Sequence, residues 1–287
     1  MLNFKSFLNS PITRILIYLF LFIIIVPVVI YLPFTKFLGE NALSDDTYQL
    51  IYYILDTIFF VAVYYFLVKI YEKREVFELS LKNFLKYFTT GFGIGTVLQI
   101  LVVVVFYLFG AYKIISFNSV YYLLTSSTMG FSPGFEEEIL FRGIILRNLE
   151  ESLGSYIALI ISAALFGLIH ISNPGANWFV VLGISLSGGL LLGSAYIYSK
   201  SLWLPIGIHT AWNYIQFSLQ GYRAGDEQSM TSFIVTKISG PEWLVGTGYG
   251  VNVTYLEIFL CLIVTFIFLY LAHKNNRIIL PFWMKGK

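Results

Sequence analysis

Three consecutive carboxylates, Glu136, Glu137 and Glu138, stand shortly before Arg142 in a chain that is 57% hydrophobic and only 12% charged. A charge inside a membrane segment costs about 2.5–3.5 kcal/mol or more, so such groups usually face a bundle interior and mark function. On a helix Glu138 and Arg142 are i and i+4 with the acid first, the better order for an ion pair. Glu137 is rotated by roughly 100° from Glu138, so Arg142 can neutralise Glu138 and leave Glu137 free. The plain alternative is a cytoplasmic acidic run that merely ends a transmembrane helix.

Two of the three histidines also lie inside apolar runs. His170 has Phe166 one turn before it, and His209 has Asn213 one turn after it, each pair on one helix face. His273, beside Lys274 at the end of the last apolar run, reads as interfacial. A carboxylate and a histidine that share a water can remove its proton as a general base. A second histidine and an amide can donate hydrogen bonds to a developing oxyanion. Together these groups can hydrolyse an amide with activated water and no covalent nucleophile. There is no H-E-x-x-H. A divalent ion such as zinc would need Glu137, His170 and His209 to converge, so metal dependence stays open, and no other cofactor is expected.

The elements that must position these groups are transmembrane helices. The chain has 287 residues and a mean hydropathy of +0.77, which predicts an all-α, polytopic transmembrane helix bundle of about eight spans in one integral-membrane domain over residues 1–287. The expected spans are about 15–34, 48–68, 87–112, 119–146, 156–171, 178–198, from 202, and 255–272. Ser132 as N-cap and Pro133 as first helical residue predict an interruption of the fourth span, tolerated at membrane depth where it faces a wet cavity. Asp56 reads as a hydrogen-bonded structural acid, and Glu136 receives no role. Gly91, Gly93 and Gly95, and the later Gly183, Gly188, Gly189 and Gly193, predict close helix contacts. Residues 69–86 read as a connector on the membrane surface, and 220–249 as a long polar loop. The lone Cys261 reads as a packing residue and excludes an intrachain disulfide. No basic cluster is large enough for a nucleic-acid partner.

Orientation follows from Lys and Arg. With both termini cytoplasmic, the inside segments hold 14 of the 18 basic residues. Depth is less consistent. At ~1.5 Å per residue from the cytoplasmic ends, Glu137 lies near ~15 Å, His170 near ~21 Å and His209 near ~10 Å.

Glu137-Glu138-x-x-x-Arg142, Phe166-x-x-x-His170 and His209-x-x-x-Asn213, in that order on successive helices, resemble the three motifs of the CPBP intramembrane protease family. That family includes the CAAX prenyl endoproteases and bacterial Abi proteins. The similarity covers about residues 80–220; Gly143 fits it, and Ser239-Gly240-Pro241-Glu242-Trp243 resembles a stretch of bacterial members. The resemblance implies an intramembrane endopeptidase in which Glu137 and His170 activate water. His209 and Asn213 then form the oxyanion site, and Glu138 with Arg142 holds the helix geometry. It also implies a membrane-embedded peptide or protein substrate, a bacterial plasma membrane location, and a site opening towards the cytoplasm. Peptide maturation and bacteriocin self-immunity are the implied roles, and the family has been discussed as metal-dependent. The competing reading is a non-catalytic membrane scaffold or immunity protein that retains the fold. A transporter with a broken helix has no inverted repeat to support it.

Overall fold

The computed structural model describes residues 10–26, 28, 45–219, 232–246 and 253–284. The end of the expected first span, the polar stretch that follows it and residues 220–231 lie outside the described residues. Helices α1 (Pro11–Val26), α2 (Asp45–Leu67) and α3 (Phe84–Leu108) come first, followed by strand β1 (Tyr112–Phe117). Helix α4 (Tyr121–Glu138) passes through a π-helical segment, Ile139–Leu146, into α5 (Arg147–Ile169). Helix α6 (Trp178–Ile184) runs through a π turn into α7 (Leu190–Ser199), and α8 (Trp203–Tyr214) ends in another, Ile215–Leu219. Strand β2 (Ile234–Ile238), the short α9 (Glu242–Val245) and α10 (Tyr255–Lys274) complete the order.

This is a multi-pass membrane protein. Among the described residues, five helical segments are long and apolar enough to cross a bilayer: Leu50–Glu72, Phe77–Leu108, Gly130–Ser172, Trp178–Ser199 and Tyr255–Lys274. The shorter Pro11–Phe22 falls below that length. The expected fourth and fifth spans are one 43-residue helical run that turns at Gly154, where φ is +74°. Helices suit this environment because all their backbone groups pair within the segment. Large apolar side chains such as Leu16, Phe20, Ile58 and Phe66 stand exposed on the outer surface, where lipid rather than water is the natural contact.

Three expectations are corrected. Helix α4 runs unbroken through Pro133, and Ser132 does not cap it: its hydroxyl donates to the Glu136 carboxylate instead. A proline inside a transmembrane helix is tolerated where neighbours satisfy the freed backbone group. The helical geometry widens a turn later, in the π segment. The fold is also not purely helical. Tyr-Lys-Ile-Ile-Ser-Phe, rich in aromatic and β-branched residues suited to strands, pairs antiparallel with Ile234–Ile238, from Tyr112↔Ile238 to Phe117↔Ile234. Gly93 faces open space, so of the three glycines near the start of α3 only Gly91 and Gly95 do the predicted packing.

Close contact places the site helices. A Cβ on Gly91 would lie 2.2 Å from the Leu204 carbonyl oxygen, and one on Gly95 2.5 Å from that of Ile208, so α3 lies directly on α8. A Cβ on Gly134 would lie 2.5 Å from Thr210 Oγ1, so α4 approaches the other side of α8. Gly167 meets Val181 and Ser185, and Gly189 meets Ala163, which draws α5 against α6 and the π turn after it. At one end of the bundle, Glu72 accepts from Tyr18 at 2.6 Å and Arg74 at 2.8 Å, and also pairs with Arg14 and Arg147. That cluster joins α1, α2, the 73–83 connector and α5.

Candidate active site

The contact between α4 and α8 sets Glu137 and Glu138 beside His209. Glu138 Oε1 accepts Arg142 Nη1 at 2.9 Å and His209 Nδ1 at 2.9 Å, and both Glu138 and Arg142 are fully buried. Arg142 Nη2 donates to the carbonyls of Gly188 at 3.2 Å and Gly189 at 3.1 Å. Its guanidinium lies 4.4 Å from the centre of the Phe166 ring. A buried charge holds its place only when paired and hydrogen-bonded, and Arg142 meets that requirement through two elements besides its own. The expected ion pair is present, with His209 joined to it.

Phe166 is the centre of the packing. Its ring lies 5.2 Å from the His170 ring, 5.9 Å from the His209 ring and 5.2 Å edge-on from Phe141. The sequence pointed to Phe166 as a motif residue. It did not reveal that one ring contacts both histidines and the arginine.

The histidine tautomers follow from their partners. His170 Nδ1 lies 2.8 Å from the Phe166 carbonyl oxygen, which can only accept, so Nδ1 carries the proton. Its Nε2 lone pair is then available to take up a proton. His209 Nδ1 likewise donates to Glu138, and its Nε2 lies 4.0 Å from Glu137 Oε2. That Glu137 oxygen is buried without a hydrogen-bond partner, so it can accept from a water or a substrate group.

Glu137, His170, His209 and Asn213 line one cavity of about 240 Å³. The uneven depths counted along the chain do not keep these four residues from lining the same cavity. Trp212 and Gln216 also line it. They follow His209 by three and seven residues, a helical stripe that could have been read from the sequence. Ser187 and Gly188, on the π turn, carry no such signal.

Glu136 turns away from the cavity. Its carboxyl pairs with that of Asp56 and accepts the Ser132 hydroxyl. The two acids that had no chemistry in the sequence thus meet each other, joining α2 to α4. His273 is exposed in the last turn of α10, and Cys261 is buried.

The donor types suit zinc: two imidazole Nε2 atoms and a carboxylate, with each Nδ1 oriented by a further acceptor. The placement does not. Among the described residues, no three His, Cys, Asp or Glu side chains converge closely enough to hold a metal ion. No chemical step is therefore assigned to a metal.

Residues 118–215 match the family of Rce1-like proteins, type II CAAX prenyl endopeptidases. The matched stretch carries all three motifs, while Ser239–Trp243 lies beyond it. No curated protein and no solved structure matches the chain.

Proposed function

From an Rce1-like segment over residues 118–215, we propose that this chain is an intramembrane endopeptidase that cleaves membrane-associated peptide or protein substrates with an activated water. The observation that carries this reading is the meeting of Glu137, His170, His209 and Asn213 in one cavity, although they come from three separate helices.

Each group has a role consistent with its surroundings. Glu137, with one oxygen unpartnered, and His170, with Nε2 free of the Phe166 carbonyl, take the proton from a water between them as it attacks the scissile carbonyl carbon. The carbonyl π electrons move onto oxygen. Asn213 Nδ2 and His209 Nε2 donate to that oxyanion. Because Nδ1 of His209 already donates to Glu138, its Nε2 donates only when the ring holds both protons. The oxyanion then re-forms the carbonyl, the C–N bond breaks, and the proton from the water passes to the departing amine. Glu138 and Arg142 position His209 and do not touch substrate.

The protein belongs, in this reading, in a bacterial plasma membrane with both termini cytoplasmic, where peptide maturation or bacteriocin self-immunity would use such an activity. The test is cleavage of a quenched membrane-peptide library by purified wild type, Glu137→Ala and His170→Ala. The reading predicts activity in wild type alone. Cleavage that survives both substitutions overturns it. A wild type that never cleaves, with its biological phenotype intact in both variants, favours the scaffold.

A further inference from the structure

We propose that the cavity opens on the extracytoplasmic face, opposite to the cytoplasmic opening expected from the family resemblance, so that the scissile bond is reached from outside the cell. The two ends of the bundle differ in charge. One end gathers the 73–83 connector, the start of α5, the α7–α8 turn and the residues after α10. Its contacts include Arg147 with Glu72, Lys200 with Glu150 at 2.7 Å, the Leu202 amide on the Glu78 carbonyl at 2.8 Å, and the Ser155 amide on the Ile279 carbonyl at 2.9 Å. Ten of the described Lys and Arg side chains belong to this end. The other end gathers β1, β2, the 173–177 loop and the start of α10; among the described residues it carries Lys113 and Lys237. Lys and Arg are retained on the cytoplasmic side of a membrane protein, so the sheet end faces out.

The cavity leads to that sheet end. Its floor is Leu191, Leu192, Ile208 and His209. Between the floor and the basic end stand the fully buried Glu138–Arg142 pair and the closed packing of Leu202, Leu204 and Ile206. From His209 the wall climbs α8 through Trp212, Asn213, Gln216 and Phe217. The next residue, Ser218, accepts the Phe233 amide at 2.9 Å, and the Phe233 carbonyl accepts the Asn118 amide at 2.8 Å, which ties the top of the wall to the strands. The opposite wall climbs from Phe166 through His170 to Asn173, which is exposed in the loop at the sheet end. Polar groups therefore lead from the candidate catalytic centre towards the sheet, and a seal of apolar residues and one ion pair lies towards the basic end. A substrate suited to this opening is a membrane-anchored peptide with its cleavage segment in the outer half of the bilayer or just beyond it.

The statement about substrate rests on the endopeptidase reading; the sidedness does not. The test is labelling by a membrane-impermeant maleimide polymer, read as a mobility shift, on full-length protein in intact cells and after detergent. Wild type, whose Cys261 is buried, serves as the blank. Ser172→Cys and Asn173→Cys report the sheet end, and Asn275→Cys reports the basic end; all three positions are exposed. The expected result is a shift for Ser172→Cys and Asn173→Cys in intact cells, with Asn275→Cys shifting only after detergent. The reverse pattern, or a shift at both ends in intact cells, overturns the proposal. The same labelling in a Glu137→Ala background gives the sidedness without any cleavage, so a failed protease reading and a failed topology are told apart.

Discussion

His209 Nδ1 and Arg142 Nη1 both donate to a single oxygen of Glu138, each over 2.9 Å. One carboxylate oxygen thus links the arginine of the first motif to the histidine of the third. Glu138 and Arg142 orient a histidine from behind, and the open side of that histidine faces Glu137.

Because the pair is fully buried, removing one partner leaves an uncompensated charge, at a cost of about 3–5 kcal/mol. Arg142→Met and Glu138→Leu should each lower thermal stability in detergent sharply. The double variant should be markedly more stable than either single variant, because no orphan charge remains. Thermal unfolding of the four proteins checks this. Additive losses in the double variant would show that the pair is not coupled.

Glu137→Gln should behave differently. Its Oε2 has no hydrogen-bond partner to lose, so stability should stay within about 0.5 kcal/mol of wild type, as expected away from buried networks. Peptidase kcat should fall by about 10²–10⁴, the usual contribution of a positioned base. Steady-state kinetics with a cleaved reporter peptide, alongside unfolding of the same preparations, separates the two effects. Retained activity would remove Glu137 from the mechanism.

Glu136→Gln is the internal contrast. Glu136 pairs with Asp56 and lies outside the cavity lining, and an amide can still donate to Asp56. Activity should remain within a few-fold of wild type, while Glu136→Leu should lower stability by about 1–3 kcal/mol by leaving Asp56 buried without a partner. Kinetics and unfolding of both variants check this. A collapse of kcat in Glu136→Gln without loss of stability would move the base to Glu136.

Gly154→Ala should destabilise by at least about 1–3 kcal/mol. The backbone there has φ +74° and ψ 168°, a region left almost entirely to glycine, and a Cβ would lie 2.7 Å from the Pro281 nitrogen and 2.8 Å from the Ile279 carbonyl oxygen. Denaturant titration in detergent measures the loss. An unchanged midpoint would mean that this turn is not held as described.

The sequence alone determined the chemistry on offer and the membrane setting. Glu137-Glu138-x-x-x-Arg142, Phe166-x-x-x-His170 and His209-x-x-x-Asn213 are legible because one-turn spacing is a local property of a helix, and because ionisable groups inside apolar runs are costly enough to mark themselves. The helical, multi-pass character is legible for the same reason: long apolar runs leave the backbone few other ways to pair.

Only the tertiary structure decided which helices are neighbours. Asp56 meets Glu136 across eighty residues of chain, β1 finds β2 across more than a hundred, and Gly134 rather than Ser132 or Pro133 sets the approach of α4 to α8. Proline at 133 signals a break when only local rules are applied, yet the packed helix runs through it. That the site residues share one cavity was equally beyond local reading. Depth counted along each helix treats the site residues separately, whereas their shared wall depends on how α4, α5 and α8 lie against one another, and helix contacts far apart in the chain have no spacing from which to read them.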